Sequence, residues 1–292
     1  PIFRTLRLTE SLKQQWPLSA SFGFFCSLCF LSCFWFHVSM AQNATTDPSE
    51  VTALISIFKQ WDMQALLISG GEQCIGFSIN GSEFEKPKNN PAVTCDCTYD
   101  KNTTCHMTKL RVHALNKRGV FPKEFEALRY LAVLYDVFPT PFSYKRHRKL
   151  DLNYFTGPLP AFIGNMSALT VLSFGSNNFS ETLPPELGNL VNLGLFYMDS
   201  CGLGGEVPST FAKLINMKIL YASDNPFSGK IPAFIGNWRK LTSLVLRNTL
   251  INGSIPTDFG EYQHLQILDL GFNNLTGELP SSLFNMSSLT YL

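Results

Sequence analysis

The sequence has almost no charge imbalance. Its 292 residues carry 23 Lys and Arg against 22 Asp and Glu, a formal net charge of +1, so no bulk field draws in nucleic acid or an anionic membrane surface. Catalytic signatures are missing as well: no pair of metal ligands recurs at helical spacing, and no Gly-x-Ser-x-Gly elbow occurs. Beyond the N-terminal segment histidine is confined to His106, His113, His147 and His264, too scattered to mark a nucleophile and its base. No catalytic residue, cofactor or metal is expected. Long uninterrupted helices are excluded by 17 prolines. What remains, at 45% hydrophobic and 15% charged residues, is globular in composition and able to bury a sizeable core.

An uncharged apolar stretch runs from Ala20 to Val38, preceded by Arg4, Arg7 and Lys13 and followed by the small-residue segment Ser39-Met40-Ala41. This is the pattern of a secretory signal peptide over residues 1–41; its alternative is a signal anchor, since the segment is close to the shortest length that spans a bilayer. On either reading the chain after Gln42 is extracytoplasmic. Five cysteines follow, and four of them, Cys74, Cys95, Cys97 and Cys105, form an even set that an oxidising compartment turns into two disulfides, with three pairings open. A zinc site built from Cys95, Cys97, Cys105 and His106 is the alternative, although a Cys-x-x-Cys knuckle is lacking. Asp47-Pro48-Ser49-Glu50 supplies an N-cap, a first-turn proline and an acid, so a helix starts there. Val51, Leu54, Ile55 and Phe58 then predict its packed face.

From residue 107 onward one period dominates. Pro160, Pro184, Pro208, Pro232, Pro256 and Pro280 are 24 residues apart, each after Leu, Val or Ile. Aligned on them, the units read L-x-x-L-x-L-x-x-N-x-L-x-G-x-I-P-x-x-L-G-N-L-x-x, with Leu265 to Pro280 the fullest copy. Such a unit cannot cover its own apolar side, so neighbours stack into a curved solenoid around Leu172, Phe196, Leu220, Leu244 and Leu268. Asn153, Asn177, Asn225 and Asn273 hold the ninth position, where a short polar side chain satisfies turning backbone; Cys201 and Thr249 substitute there. The chain begins at Pro1 and stops within the pattern at Leu292, so a fragment of a longer product is expected.

The pattern is identified as a leucine-rich repeat, and its L-x-G-x-I-P-x-x-L-G-N form resembles the plant-type repeat of receptor-like kinases and secreted cell-wall proteins. The segment Pro91 to Val112, with Cys95-Asp96-Cys97 and Asn102-Thr103-Thr104-Cys105-His106, resembles the cap of the receptor-like kinases whose ectodomain continues into a malectin-like domain. The fold class implied is an α/β repeat solenoid, a right-handed leucine-rich-repeat horseshoe behind a disulfide-stapled helical cap at residues 42–106. The resemblance further implies a downstream membrane span and Ser/Thr kinase, none of whose motifs (glycine-rich nucleotide loop, His-Arg-Asp, Asp-Phe-Gly) occurs in this sequence. One irregularity breaks the phase: Pro122 to Pro160 is 38 residues, 24 plus 14. The extra segment is Tyr135 to Arg148, ending in the basic run Lys145-Arg146-His147-Arg148, and it is expected to cut a strand between Leu134 and Leu150.

Function is expected on the concave face, where alternate strand residues leave the core. The fifth position there holds Ser173, Tyr197, Tyr221, Val245 and Asp269, and the seventh holds Gly175, Asp199, Ser223, Arg247 and Gly271. Tyr197, Tyr221, Asp199, Arg247 and Asp269 are the candidate ligand contacts, an aromatic patch edged by charge. The resemblance implies a peptide, cell-wall glycan or co-receptor as partner, presented at the extracellular side of the plasma membrane. The alternative is a secreted wall protein that acts alone, as polygalacturonase inhibitors do. Eight N-x-S/T sequons, at Asn43, Asn80, Asn102, Asn165, Asn178, Asn252, Asn274 and Asn285, suit an exported glycoprotein.

Overall fold

The computed structural model describes residues 44–63, 73–75, 77–81, 84, 86, 89–112, 115–135, 153–257 and 262–292. The signal segment, Asn43, and residues 136–148 of the insertion lie outside the described residues. Among the described residues no helix is long and apolar enough to cross a membrane.

The cap begins with strand β1 (Thr45–Thr46) and helix α1 (Pro48–Gln60). Asp47 caps α1, its carboxylate accepting the Ser49 N–H at 2.8 Å and the Glu50 N–H at 3.3 Å. The Ser49 hydroxyl holds this carboxyl below its ordinary value, with the two N–H groups assisting. The buried face differs from the predicted one: Ala53, Leu54, Ile57 and Phe58 are inside together with Glu50, while Val51 and Ile55 are half-buried. The cause is polar. Turning Glu50 inward brings its carboxylate to the Met107 N–H at 2.7 Å and to His106 Nδ1 at 2.9 Å, and the helix rolls with it. After the short helix α2 (Phe77–Asn80), β2 (Ala92–Tyr99) runs antiparallel to β3 (Thr104–Arg111). The disulfides join Cys74 to Cys95 and Cys97 to Cys105.

The repeats add parallel strands to this hairpin. In chain order they are β4 (Arg118–Gly119), β5 (Val133–Tyr135), β6 (Tyr154–Pro158), β7 (Val171–Ser173), β8 (Asn178–Ser180), β9 (Leu195–Tyr197), β10 (Ile219–Tyr221), β11 (Ser228–Lys230), β12 (Ser243–Val245), β13 (Leu250–Gly253), β14 (Ile267–Asp269) and β15 (Asn274–Leu275). The concave sheet has the order β1-β3-β5-β7-β9-β10-β12-β14, with β2 also on β3, and two three-stranded ladders, β4-β6-β8 and β11-β13-β15, line the flank. Leu220 sits opposite both Phe196 and Leu244, so partners across the sheet are 24 residues apart. The inward positions therefore stack into one core that includes Leu172, Phe196, Leu244 and Leu268.

On the convex side 3-10 turns recur among the described residues, such as Ala161–Asn165, Pro185–Asn189 and Ser209–Lys213. Each follows a proline whose fixed φ sets the entry: −70° at Pro160, −61° at Pro184 and −57° at Pro208. The turns pack so closely that a Cβ at Gly188 would lie 2.5 Å from the Thr210 carbonyl oxygen. Glycine is required there.

The asparagine ladder ties each turn to the next. Asn225 donates to the carbonyls of Met198, Ala222 and Ser223 at 2.7, 3.1 and 2.9 Å, and accepts the N–H groups of Cys201 and Gly202 at 2.9 and 3.0 Å. Asn273 likewise donates to Leu246 and Leu270. Where Thr249 replaces asparagine, its N–H and hydroxyl both turn to Asn273. Cys201 fills its ninth position wholly buried.

The described part of the strand expected to be cut, Val133–Tyr135, is paired on both sides. Val133, Leu134 and Tyr135 pair with Lys109, Leu110 and Arg111 on one side and with Val171, Leu172 and Ser173 on the other. Tyr135 therefore belongs to the strand, and the 38-residue step from Val133 to Val171 carries the extra length after it. The ladder closes beyond the insertion as well: Asn153 donates to the Val112 carbonyl at 2.8 Å and accepts the Lys117 N–H at 3.2 Å.

Candidate functional site

The five predicted contacts fall into two groups on the concave side, Tyr197, Tyr221 and Asp199 in one and Arg247 with Asp269 in the other. Tyr197 ends β9 and Tyr221 ends β10, directly opposed in register. Their ring centroids are 5.4 Å apart and the rings stand at 83°, an edge-to-face pair. Both rings are half-buried. Burial, followed by the neighbouring Tyr221 and Asp199, pushes the Tyr197 hydroxyl up to about 12. Burial raises Tyr221 too, partly offset by a hydrogen bond with Ser243.

Asp199 lies two residues beyond Tyr197. Its Oδ1 accepts the Ser223 N–H at 2.7 Å, which fixes the carboxylate toward the adjoining repeat. Burial nevertheless pushes the group up to about 6, against the Ser223 hydrogen bonds and with the help of nearby Asp224. Asp224 is held in turn by the Asn248 side-chain amide at 2.6 Å.

Arg247 follows β12 and faces Asp269 with Nη1 to Oδ2 at 3.7 Å. Its guanidinium stacks over the ring of Phe272 at 4.2 Å. Phe272 is 72% exposed and escaped the sequence reading, because the eighth position lies past the strand and carries no alternation signal. A Cβ at Gly271 would stand 3.2 Å from Asp269 Oδ1 and 3.4 Å from Arg247 Nη1, so glycine leaves this pair its room.

Asp269 departs from expectation. It is 4% exposed, its Oδ1 accepts the Gly271 N–H at 3.0 Å, and its Oδ2 faces Arg247. It positions the arginine and is not itself an open contact. Ser173 at 2% and Val245 at 1% exposure are buried as well. Side chains converge on the inside of a curved sheet, so small ones vanish beneath larger neighbours.

The N-terminal end of the concave face is already covered. Phe84 packs with Ala92 and Val133, and Lys109 Nζ and the Arg111 guanidinium lie 5.7 and 5.6 Å from its ring centre. Arg111 donates to the carbonyls of Lys86 and Asn89. The open concave surface therefore centres on β9 and β10, with Arg247 and the exposed Phe272 lying past the ends of β12 and β14. Among the described residues no cluster of His, Cys, Asp and Glu could hold a metal ion. Asn102, Asn165, Asn178, Asn252, Asn274 and Asn285 are all exposed, and none of them is on the concave strands.

Residues 168–190, 216–238 and 264–286 match the Leucine Rich Repeat family model. The chain is similar to the Arabidopsis thaliana protein named Probable LRR receptor-like serine/threonine-protein kinase At1g56140, with 38% identity over 118 residues, 36% of this chain and 11% of that protein. Among solved structures it is similar to the LRR ectodomain of the Arabidopsis thaliana receptor kinase GASSHO1/SCHENGEN3, solved in complex with CASPARIAN STRIP INTEGRITY FACTOR 2. There the TM-score is 0.57 and the identity 31%, over 68% of this chain and 25% of that one. The PEPR1–AtPEP1 structure gives a TM-score of 0.59 at 25% identity, covering 84% of this chain and 31% of that chain. The match thus spans about a tenth of the curated kinase and a quarter to a third of these ectodomains.

Proposed function

We propose that this chain is the extracellular ligand-recognition part of a plant leucine-rich-repeat receptor-like kinase, and that its ligand is a peptide held on the concave face. The observation that carries the reading is the Tyr197–Tyr221 pair flanked by Asp199 and Arg247 on a rigid parallel sheet. Two rings held by packing lose little entropy on contact, and flanking charges of opposite sign supply orientation. The similarity to receptor kinase ectodomains, one solved with CASPARIAN STRIP INTEGRITY FACTOR 2, supports the same class of role.

In the finer reading the ectodomain continues into a malectin-like domain, a membrane span and a Ser/Thr kinase, at the plasma membrane. The exposed sequons carry glycans on the flank and convex side and leave the concave strands bare. The test is a peptide-display selection against the secreted chain, followed by Tyr197→Ala, Tyr221→Ala. Loss of binding with circular dichroism unchanged is expected. Binders indifferent to this pair would move the site elsewhere, and a transcript with a stop directly after Leu292 would favour the secreted wall protein.

A further inference from the structure

The flank ladder β4-β6-β8 turns an apolar patch to solvent beside one of the sequons. Along β6, Tyr154 and Thr156 stand on either side of buried Phe155; along β8, Asn178 and Ser180 stand on either side of buried Phe179. The Phe155 and Phe179 rings face each other inside, 6.4 Å apart, so Tyr154, Thr156 and Asn178 share the outer face. Thr156 is opposite Asn178 in register. Tyr154, two residues earlier, is therefore the diagonal neighbour of Asn178, at about 7 to 8 Å and within reach of a long side group. Tyr154 is 45% exposed and Val120 68%. A Cβ at Gly157 would lie 3.4 Å from Val120 Cγ1, so Val120 extends the same apolar surface across β6.

The Tyr154 ring is held from one side and open on the other. Arg118 of β4, paired with Tyr154 in register, sets its guanidinium 5.5 Å from the ring centre. Strand β6 lies between β4 and β8, so this support comes from the side away from Asn178. On the β8 side the matching residue is Ser176, too small to cover a ring, and its N–H is turned to the Asp199 carbonyl. The other flank ladder differs. The same diagonal position holds Ser228 for Asn252 and Leu250 for Asn274, neither of them a ring.

We propose that Asn178 carries an N-linked glycan whose first N-acetylglucosamine stacks on Tyr154, closing this patch of the flank to protein partners. Asn178-Phe179-Ser180 is the sequon. The axial C–H bonds of a pyranose carry partial positive charge and meet the negative face of an aromatic ring, while its hydroxyls stay in water. The inference rests on the exported-glycoprotein reading above and deepens it, assigning one sequon a protein surface for its sugar.

The test uses the secreted chain with its glycans trimmed enzymatically to one carbon-13-labelled N-acetylglucosamine per site. One sugar spin system, identified by its disappearance in Asn178→Gln, should be shifted upfield by the ring current of Tyr154. The shift should vanish in Tyr154→Ala and survive in Tyr154→Phe. Asn178→Gln should lower the melting temperature of the parent by about 2 to 4 °C, and should have no effect in the Tyr154→Ala background or when made at Asn252. An unshifted sugar at Asn178 overturns the proposal, as does an equal loss from Asn178→Gln with and without the ring. Mass spectrometry that found Asn178 bare while other sequons were occupied would overturn it and leave the exported reading standing. A secreted chain bare at every sequon would overturn both.

Discussion

Two regions of this molecule satisfy buried polar groups by different means. In the cap, two disulfides and the carboxylate of Glu50, which serves both Met107 N–H and His106, fix a small body around α1. Across the repeats from Asn153 onward the described residues contain no disulfide, and neutral asparagines carry the turns. A cap has a neighbour on one side only, so covalent and charged contacts replace the stacking it lacks. An internal repeat has two neighbours, and one amide can serve both. The regions join through aromatic packing: Trp61, at the end of α1, lies 5.9 Å from Phe125 and 5.5 Å from Phe155 between ring centres.

The comparison breaks most severely in the repeats. Asn225→Ala should cost about 3 to 5 kcal/mol, because it strands two N–H groups and leaves three carbonyls short of a partner at once. Chemical denaturation should show it, and an effect below about 1 kcal/mol would mean that water replaces the amide. Next is the cap. Replacing Cys74 and Cys95 by serine opens a bridge spanning 21 residues and should cost about 2 to 4 kcal/mol. Hydrogen exchange should then quicken in Pro48–Gln60 while the strands β9 to β12 stay protected; equal loss in both would show the regions to be one cooperative unit.

A smaller effect has the opposite sign. The Asp199 carboxyl titrates at about 6 in the fold against 3.8 ordinarily, so ionisation works against folding. Its favourable contribution is fully present below the ordinary value and is lost as pH rises through about 6. Asp199→Asn should therefore stabilise the chain at pH 7 by about 1 to 2 kcal/mol, with the advantage gone by pH 4. Because Glu50 is also raised by burial, the difference between variant and parent is the quantity to follow. The smallest change is expected from deleting residues 136–149, which sets Leu150 after Tyr135 in repeat phase. With the strand already paired on both sides, only loop-closure entropy is recovered, about 0.5 to 1 kcal/mol. A large rise in melting temperature would show that the segment strains the strand.

Much of the fold was legible because repetition multiplies each signal. The 24-residue spacing, the inward Leu and Phe positions and the ninth-position asparagines recur, and the register across the sheet follows the same count. The α1 boundaries were legible from Asp47 and Pro48. Its buried face was not, because the choice between Val51 and Ile57 depends on where Glu50 finds its partners 56 and 57 residues away. At the site, alternation located Tyr197, Tyr221, Asp199 and Arg247 on one surface. It could not tell that Asp269 is buried beneath Arg247 or that Phe272 supports the guanidinium.

By itself, the sequence determined the period, the leucine and phenylalanine positions of the repeats that face the core and the row on which the candidate contacts lie. These follow from local rules: two residues per strand repeat, a fixed φ at each proline, and a short amide wherever the chain turns inward. Only the tertiary structure decided the roll of α1, the pairing of the four cap cysteines, the completion of β5 at Tyr135 and the covering of the first concave strands by Phe84. Each of those depends on groups that are distant in sequence and near in space, where one buried charge or one ring outweighs the local preference of the residues beside it.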